Sequence, residues 1–275
     1  MEEDIFQINL HEIVKAKAPK AAKKIPGFVI DWLAKLICQE PLNQFLRANG
    51  TATGIDFMNN AVEYFNIHLE IKGENNIPDF DTKCIFASNH PLGGMDGICL
   101  SSYLGNRYNK HICYLVNDIL YFIEPLQDIF VPINKHGGQG REAAKILNDA
   151  FQSRNQIVTF PAGLVSRKTK GVICDPEWKK MFISKAIEYK KDVVPVYFDA
   201  KNSNLFYNIA NIRKKLGIKF NIEMLFLPRE LFKAMNSTFT IYFGKPIPWQ
   251  TFDSSKSPQQ WADWVKQIVY NNVRK

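Results

Sequence analysis

Only five cysteines occur in the 275 residues (Cys38, Cys84, Cys99, Cys113 and Cys174), and no two of them form a C-x-x-C pair. An odd, scattered set of this kind gives neither a disulfide framework nor a zinc site, and it suits a reducing cytosol. Long apolar runs are missing too: no stretch reaches the about 18 residues of a spanning helix. The chain opens Met1-Glu2-Glu3-Asp4, acidic where a secretory signal needs positive charge. Four of the five histidines (His11, His68, His111 and His136) are too dispersed to act as metal ligands, so no metal is expected. There is no G-x-S-x-G nucleophile elbow, no Walker A loop and no dinucleotide fingerprint. Nor is there a repeat, a low-complexity tract or a known nucleic-acid-binding motif, so nucleic acid is not an expected partner.

What the chain does have is apolar mass and positive charge. It is 46% hydrophobic with a formal charge of +8, enough for one sizeable core and a preference for acidic partners such as anionic lipid. Residues 1–66 read as a helical segment. Lys15, Lys17, Lys20, Lys23 and Lys24 precede the amphipathic stretch Gly27 to Ile37, which carries Trp32, and cations beside such a helix suit a membrane surface. From residue 67 to 275 short apolar runs alternate with helical patterns. Strands are expected at Ile67–Gly73, Lys83–Ala87, Ile112–Val116, Ile129–Ile133, Gln156–Phe160, Val193–Phe198 and Phe239–Gly244, with a closing helix from Pro258 through Trp261 to Ile268. The expected fold is α/β: a mixed, largely parallel sheet flanked by helices, with the N-terminal amphipathic segment joined to it in one compact unit.

The stretch Ser88-Asn89-His90-Pro91-Leu92-Gly93-Gly94-Met95-Asp96-Gly97 leaves a strand and enters a helix, where open α/β sheets place their ligands, with Asp96 in N-cap position. A neutral imidazole accepts a proton at physiological pH, and a nearby carboxylate fixes its tautomer and stabilises the imidazolium. His90 and Asp96 are therefore the candidate catalytic residues. A second constellation, Phe160-Pro161-Ala162-Gly163-Leu164-Val165-Ser166-Arg167-Lys168, follows another strand and offers a hydroxyl and two cations to an anion. The third, Val131-Pro132-Ile133-Asn134-Lys135 with Arg141 beyond the glycines, again sets cations after a strand.

In this order the three constellations resemble the motifs of the lysophospholipid (glycerolipid) acyltransferase family over roughly residues 67 to 200. The histidine loop is similar to its first motif, Val131 to Lys135 to its second, Phe160 to Arg167 to its third, and Val193-Val194-Pro195-Val196 to its fourth. Five residues, not the usual four, separate His90 from Asp96; the Asn-His-Pro-x-Gly-x-x-Asp-Gly form resembles the hemolysin-like branch, which includes acyltransferases of bacterial aminolipids. Ala162 and Leu164 stand where the third motif usually has Glu and Thr, and loss of that Glu weighs against glycerol phosphate as acceptor.

The resemblance implies an O-acyltransferase of membrane lipid biosynthesis. It would carry a fatty acyl group from a thioester, acyl carrier protein or coenzyme A, to the free hydroxyl of a lyso-type lipid, with no bound cofactor. His90 would be the general base, oriented by Asp96. Lys135 and Arg167 would hold acceptor phosphate or carboxylate, with Arg141, Ser166 and Gly163 completing the substrate site and backbone N–H groups near Gly163 facing the oxyanion. The enzyme would work as a peripheral protein on the cytoplasmic face of the membrane, with acyl carrier protein as a possible partner. The acceptor is either lysophosphatidic acid or a related lysophospholipid, or a mono-acylated amino-acid lipid of the ornithine or glycine type. A catalytically silent lipid-binding protein is the alternative of another class.

Overall fold

Among the described residues, four helices precede the first strand: Leu10–Lys17 (α1), Gly27–Leu36 (α2), Gln39–Asn49 (α3) and Gly54–Tyr64 (α4). The computed structural model describes residues 7–17, 19, 24–116, 123–133 and 140–273. The strand His68–Lys72 (β1) is followed by Cys84–Ser88 (β2), the helix Met95–Arg107 (α5), and the strands Ile112–Val116 (β3) and Phe130–Pro132 (β4). Next come Gly140–Gln152 (α6), Gln156–Thr159 (β5), a hairpin of Arg167–Thr169 (β6) and Val172–Cys174 (β7), Met181–Tyr189 (α7) and Asp192–Asp199 (β8). The chain closes with Asn204–Lys215 (α8), Leu227–Lys233 (α9), Thr238–Phe243 (β9) and Pro258–Ile268 (α10).

Seven strands form one sheet in the order β1-β9-β8-β2-β5-β3-β4. Every neighbouring pair is parallel except β8 with β9, so the sheet is mixed and largely parallel, as the alternation implied. All five residues of β2 are buried, which is why the strand reads as a continuous apolar run and not as an alternation. Its two faces feed two cores. Phe86 joins Met95, Cys99 and Leu104 of α5 on one face, whereas Ile85 and Ala87 join Phe182 of α7 and Trp261 of α10 on the other. Helices α4 and α5 approach closely at Gly105, where a Cβ would lie 2.6 Å from Ile55.

The segment from 202 to 233 is where composition gave least. It folds as α8, a short 3-10 stretch and α9, and α9 comes down onto the histidine loop: Leu231 lies 3.9 Å from where a Cβ on Gly94 would stand. The stretch after Phe160 contains the β6/β7 hairpin. At the far end a capping box between Ser257 and Gln260 starts α10, matching the expected closing helix.

Candidate active site

Strand β2 ends at Ser88 and α5 begins at Met95, so the histidine loop spans the gap between the central strand and its crossover helix. Asn89 fastens the strand end. Its side-chain amide donates to the Phe198 carbonyl (3.0 Å) and its oxygen accepts the Phe198 N–H (2.6 Å), prolonging the β2/β8 ladder by a side chain. Asp96 is not the N-cap; Gly94 holds that position and Asp96 sits in the first turn. The reason is that its carboxylate is spent on the loop instead. One oxygen, Oδ2, accepts from Leu92 N–H (2.9 Å), Gly93 N–H (3.2 Å) and His90 Nδ1 (3.0 Å), while Oδ1 accepts from Gly97 N–H (2.9 Å).

Asp96 is 0% exposed. Burial alone would raise its pKa, but His90 and the N–H donors of Leu92 and Gly93 outweigh it and hold the carboxyl below its usual range. Burial likewise pushes the imidazole down, and Asp96 followed by Asp175 pushes it further up, so that His90 titrates above an ordinary histidine. An ionised carboxylate against Nδ1 requires the proton there, which leaves Nε2 of the neutral ring as the basic nitrogen. The His90 side chain keeps 15% of its surface open.

Two further parts fix the ring. Phe160, next after β5, stacks on it with centroids 3.9 Å apart and planes 18° from parallel. Asp175 lies beneath, accepting the His90 backbone N–H at 3.2 Å, the Ser166 hydroxyl at 2.5 Å and the Trp178 indole N–H at 2.9 Å. The loop closes over Gly93, whose φ of +83° no L side chain adopts easily, and a Cβ there would stand 2.6 Å from Val165. The result is an oriented, partly screened base at a strand-to-helix turn. Such a base can take a proton from a hydroxyl that reaches Nε2.

The family model described as "Acyltransferase" matches residues 12–273. The lyso-glycine lipid O-acyltransferase of Bacteroides thetaiotaomicron is 49% identical over 269 residues, covering 98% of each chain. Its counterpart from Phocaeicola vulgatus is 49% identical over 98% of this chain and 96% of its own. The chain belongs to the acyltransferase family. It is an acyltransferase enzyme, and the family does not call for a bound cofactor. Among solved structures, the 1-acyl-sn-glycerophosphate acyltransferase of Thermotoga maritima is similar at 16% identity and a TM-score of 0.47, covering 78% of this chain and 76% of its own.

The remaining residues singled out in the acyltransferase's sequence fall in different places. Arg167 is near the loop but already engaged: it donates to the Val165 carbonyl (2.7 Å) and to Glu223 (2.9 Å), and its side chain is 19% exposed. Burial lowers its pKa, and the fully buried Glu223 opposes that shift. Ser166 is 1% exposed, and its hydroxyl is committed to Asp175. Gly163 is exposed, yet its own N–H donates to the Phe160 carbonyl (2.9 Å), which takes that donor away from an oxyanion. Lys168 reaches Asn204 instead of an anion (3.1 Å). Arg141 is exposed near the start of α6, and Lys135 lies outside the described residues.

Sequence reasoning missed Asp175 and Glu223, because each acts across a long separation with nothing beside it in the chain to mark it. Phe160 was visible within its motif, but its stacking on His90 was not. Among the described residues no group of three His, Cys, Asp or Glu side chains is placed to hold a metal ion, and no helix is long and apolar enough to cross a membrane. A cavity of about 540 Å³ bounded by Asn89, Pro91, Tyr197, Asp199 and Tyr270 backs the loop. Tyr197 and Tyr270 belong to the core of the other sheet face, away from Met95 and Phe160, so this cavity is not the space beside the dyad.

Proposed function

We propose that the enzyme transfers a fatty acyl group from an acyl thioester, on acyl carrier protein or coenzyme A, to the free hydroxyl of a lyso-glycine lipid, a mono-acylated amino-acid lipid. The observation that carries the chemistry is the His90–Asp96 pair at 3.0 Å within a loop that spends every other Asp96 contact on backbone N–H groups. The acceptor is supported by the names of the two relatives that match over nearly the whole chain at 49% identity. Ala162, in place of the third motif's Glu, agrees with an acceptor that has no glycerol phosphate.

In this reading Nε2 of His90 removes the hydroxyl proton as the oxygen attacks the thioester carbonyl. The tetrahedral intermediate collapses to the ester, and the imidazolium returns its proton to the departing thiolate. Asp96 holds the tautomer and offsets the imidazolium charge. The carboxylate of the acceptor head group falls to Lys135 and to the N–H groups of Arg167 not taken by Glu223, with Arg141 as a further cation. Phe28 at 74% and Trp32 at 60% exposure, with Lys24 and Lys35 nearby in sequence, suit peripheral attachment to the cytoplasmic face of the membrane.

The test is transfer of a labelled acyl group from each donor onto lyso-glycine lipid and, separately, lysophosphatidic acid, comparing the intact protein with His90→Ala. Transfer to lyso-glycine lipid by the intact protein alone is expected. Preference for lysophosphatidic acid would overturn the acceptor, and equal activity in the variant would overturn the base.

A further inference from the structure

Among the described residues, large exposed apolar side chains occur at several points of the surface, Phe28 and Trp32 of the N-terminal helix α2 among them. A further group stands at the end of α8 with the loop after it, where Ile212 is 57%, Leu216 68% and Phe220 66% exposed, with Ile218 beside them. These are large side chains that a water-facing surface seldom gathers. Lys214, Lys215 and Lys219 alternate with them and are exposed too, and no acidic residue occurs between Asn204 and Asn221.

The patch is rigidly tied to the active site. Arg213 donates to the Ile218 carbonyl (2.8 Å), which fixes the loop, and its guanidinium meets Glu223 at 2.8 Å. Glu223 also holds Arg167 of the third motif. On its inner side α8 packs Phe206 and Tyr207 against Val165, with Leu227 of α9 at the rim of the same cluster. Leu227 and Val165 are the side chains that crowd Gly93 in the histidine loop. Beyond the loop, Phe232 of α9 meets Phe65 (5.4 Å), which meets Phe45 of α3 (5.5 Å), so α9 bridges the catalytic loop and the N-terminal helices.

We propose that the α8 tip, residues 212 to 220, is a second membrane-docking surface that inserts Leu216 and Phe220 among the lipids of an anionic bilayer and so sets the rim of the active site on the membrane. Large apolar side chains interleaved with lysines match an interface that is apolar below and anionic above. An acidic carrier protein would meet the lysines but would leave three large apolar side chains without a role. The inference rests on the lipid-substrate reading, but its readout is vesicle binding, which needs no turnover.

The experiment is co-sedimentation of the full chain with vesicles of phosphatidylglycerol and phosphatidylcholine, and with phosphatidylcholine alone. The proteins compared are the intact chain, Leu216→Ser/Phe220→Ser, and Lys214→Gln/Lys215→Gln/Lys219→Gln. Because these side chains are exposed, neither variant should shift the melting temperature. Partitioning onto the anionic vesicles should fall about tenfold or more in each. Unchanged partitioning in both variants would overturn the proposal. So would intact vesicle binding with a selective loss of transfer from acyl carrier protein but not from coenzyme A, which would make the patch a protein dock.

Discussion

Replacing Asp96 by Asn tests the dyad with the smallest change in shape. The carboxylate accepts four contacts, three on Oδ2 and one on Oδ1, and is itself closed to water. An amide has one acceptor oxygen. If that oxygen faces Leu92, Gly93 and His90, the NH₂ group confronts the Gly97 N–H. If it faces Gly97, the NH₂ confronts two N–H donors and forces the imidazole to carry its proton on Nε2, where it is no longer a base. Either way at least one buried donor is left without a partner, and hydrogen bonds to a charged group contribute about 1.5–3 kcal/mol each. The Asp96→Asn substitution should therefore cost about 2–4 kcal/mol of stability, read as a lower urea midpoint at unchanged m-value. Catalysis should suffer more. Loss of the countercharge, joined in the second orientation by loss of the tautomer, should lower kcat by up to about 10³–10⁴-fold, equivalent to about 4–5.5 kcal/mol, with KM little changed. The assay is initial-rate acyl transfer on protein shown by circular dichroism to be folded. A folded variant within tenfold of the native kcat would refute the reasoning.

Gly93→Ala must adopt a positive φ and push a Cβ to within 2.9 Å of Leu227 and closer still to Val165, so it should lose about 2–4 kcal/mol of stability, seen as a lower melting temperature. Asp175→Asn removes the charge that supports His90 from below while keeping most of the shape; it should lower the His90 pKa, followed by NMR of the ring, and reduce kcat with KM nearly constant. Lys191 is 1% exposed, donates to the Asn155 carbonyl and has its pKa pulled down to about 8, first by burial and then by Lys83. Its charge therefore opposes folding at neutral pH by at most about 3 kcal/mol, and Lys191→Met should stabilise the protein at pH 7 by some of that amount. In urea titrations the gain should shrink as pH rises from about 8 towards the ordinary lysine value of about 10.5; an increase would contradict the assignment.

How much of this was legible before folding depended on distance along the chain. The sheet was readable because β2, β3, β5 and β8 are fully or nearly fully buried, so that their middles are unbroken apolar runs with polar residues only at the ends. The dyad was readable because His90 and Asp96 share one loop. Asp175 was not: it reaches His90 across 85 residues, and its role exists only once β6 and β7 have turned the chain back under the loop. Arg167 shows the converse. A cation after a strand reads as a free anion site, whereas in the fold a buried carboxylate 56 residues away, Glu223, already engages one of its N–H groups. Between 202 and 233 the apolar residues follow no single period because some are spent inward on Val165 and others face outward, and periodicity cannot separate the two.

The same pair asks opposite things of pH. The pKa of His90 is raised in the fold, so its contribution to stability is complete below the imidazole's unfolded value of about 6.5 and disappears as pH rises through the folded value. The pKa of Asp96 is lowered, so its contribution is present above about 3.9 and disappears as pH falls through its folded value. The pair therefore stabilises most between those limits, with His90 charged. A base must be neutral to accept a proton, so catalysis requires the upper side of the His90 titration, where that stabilisation has gone. Activity should rise along a single acidic limb whose midpoint lies above about 6.5, while the dyad's share of stability falls over the same interval. Measuring kcat/KM against pH alongside urea unfolding of native and His90→Gln protein separates the two curves. If the limb lies at or below the ordinary histidine value, or if the stability difference grows with pH, then the carboxylate does not hold the imidazolium as the 3.0 Å contact indicates.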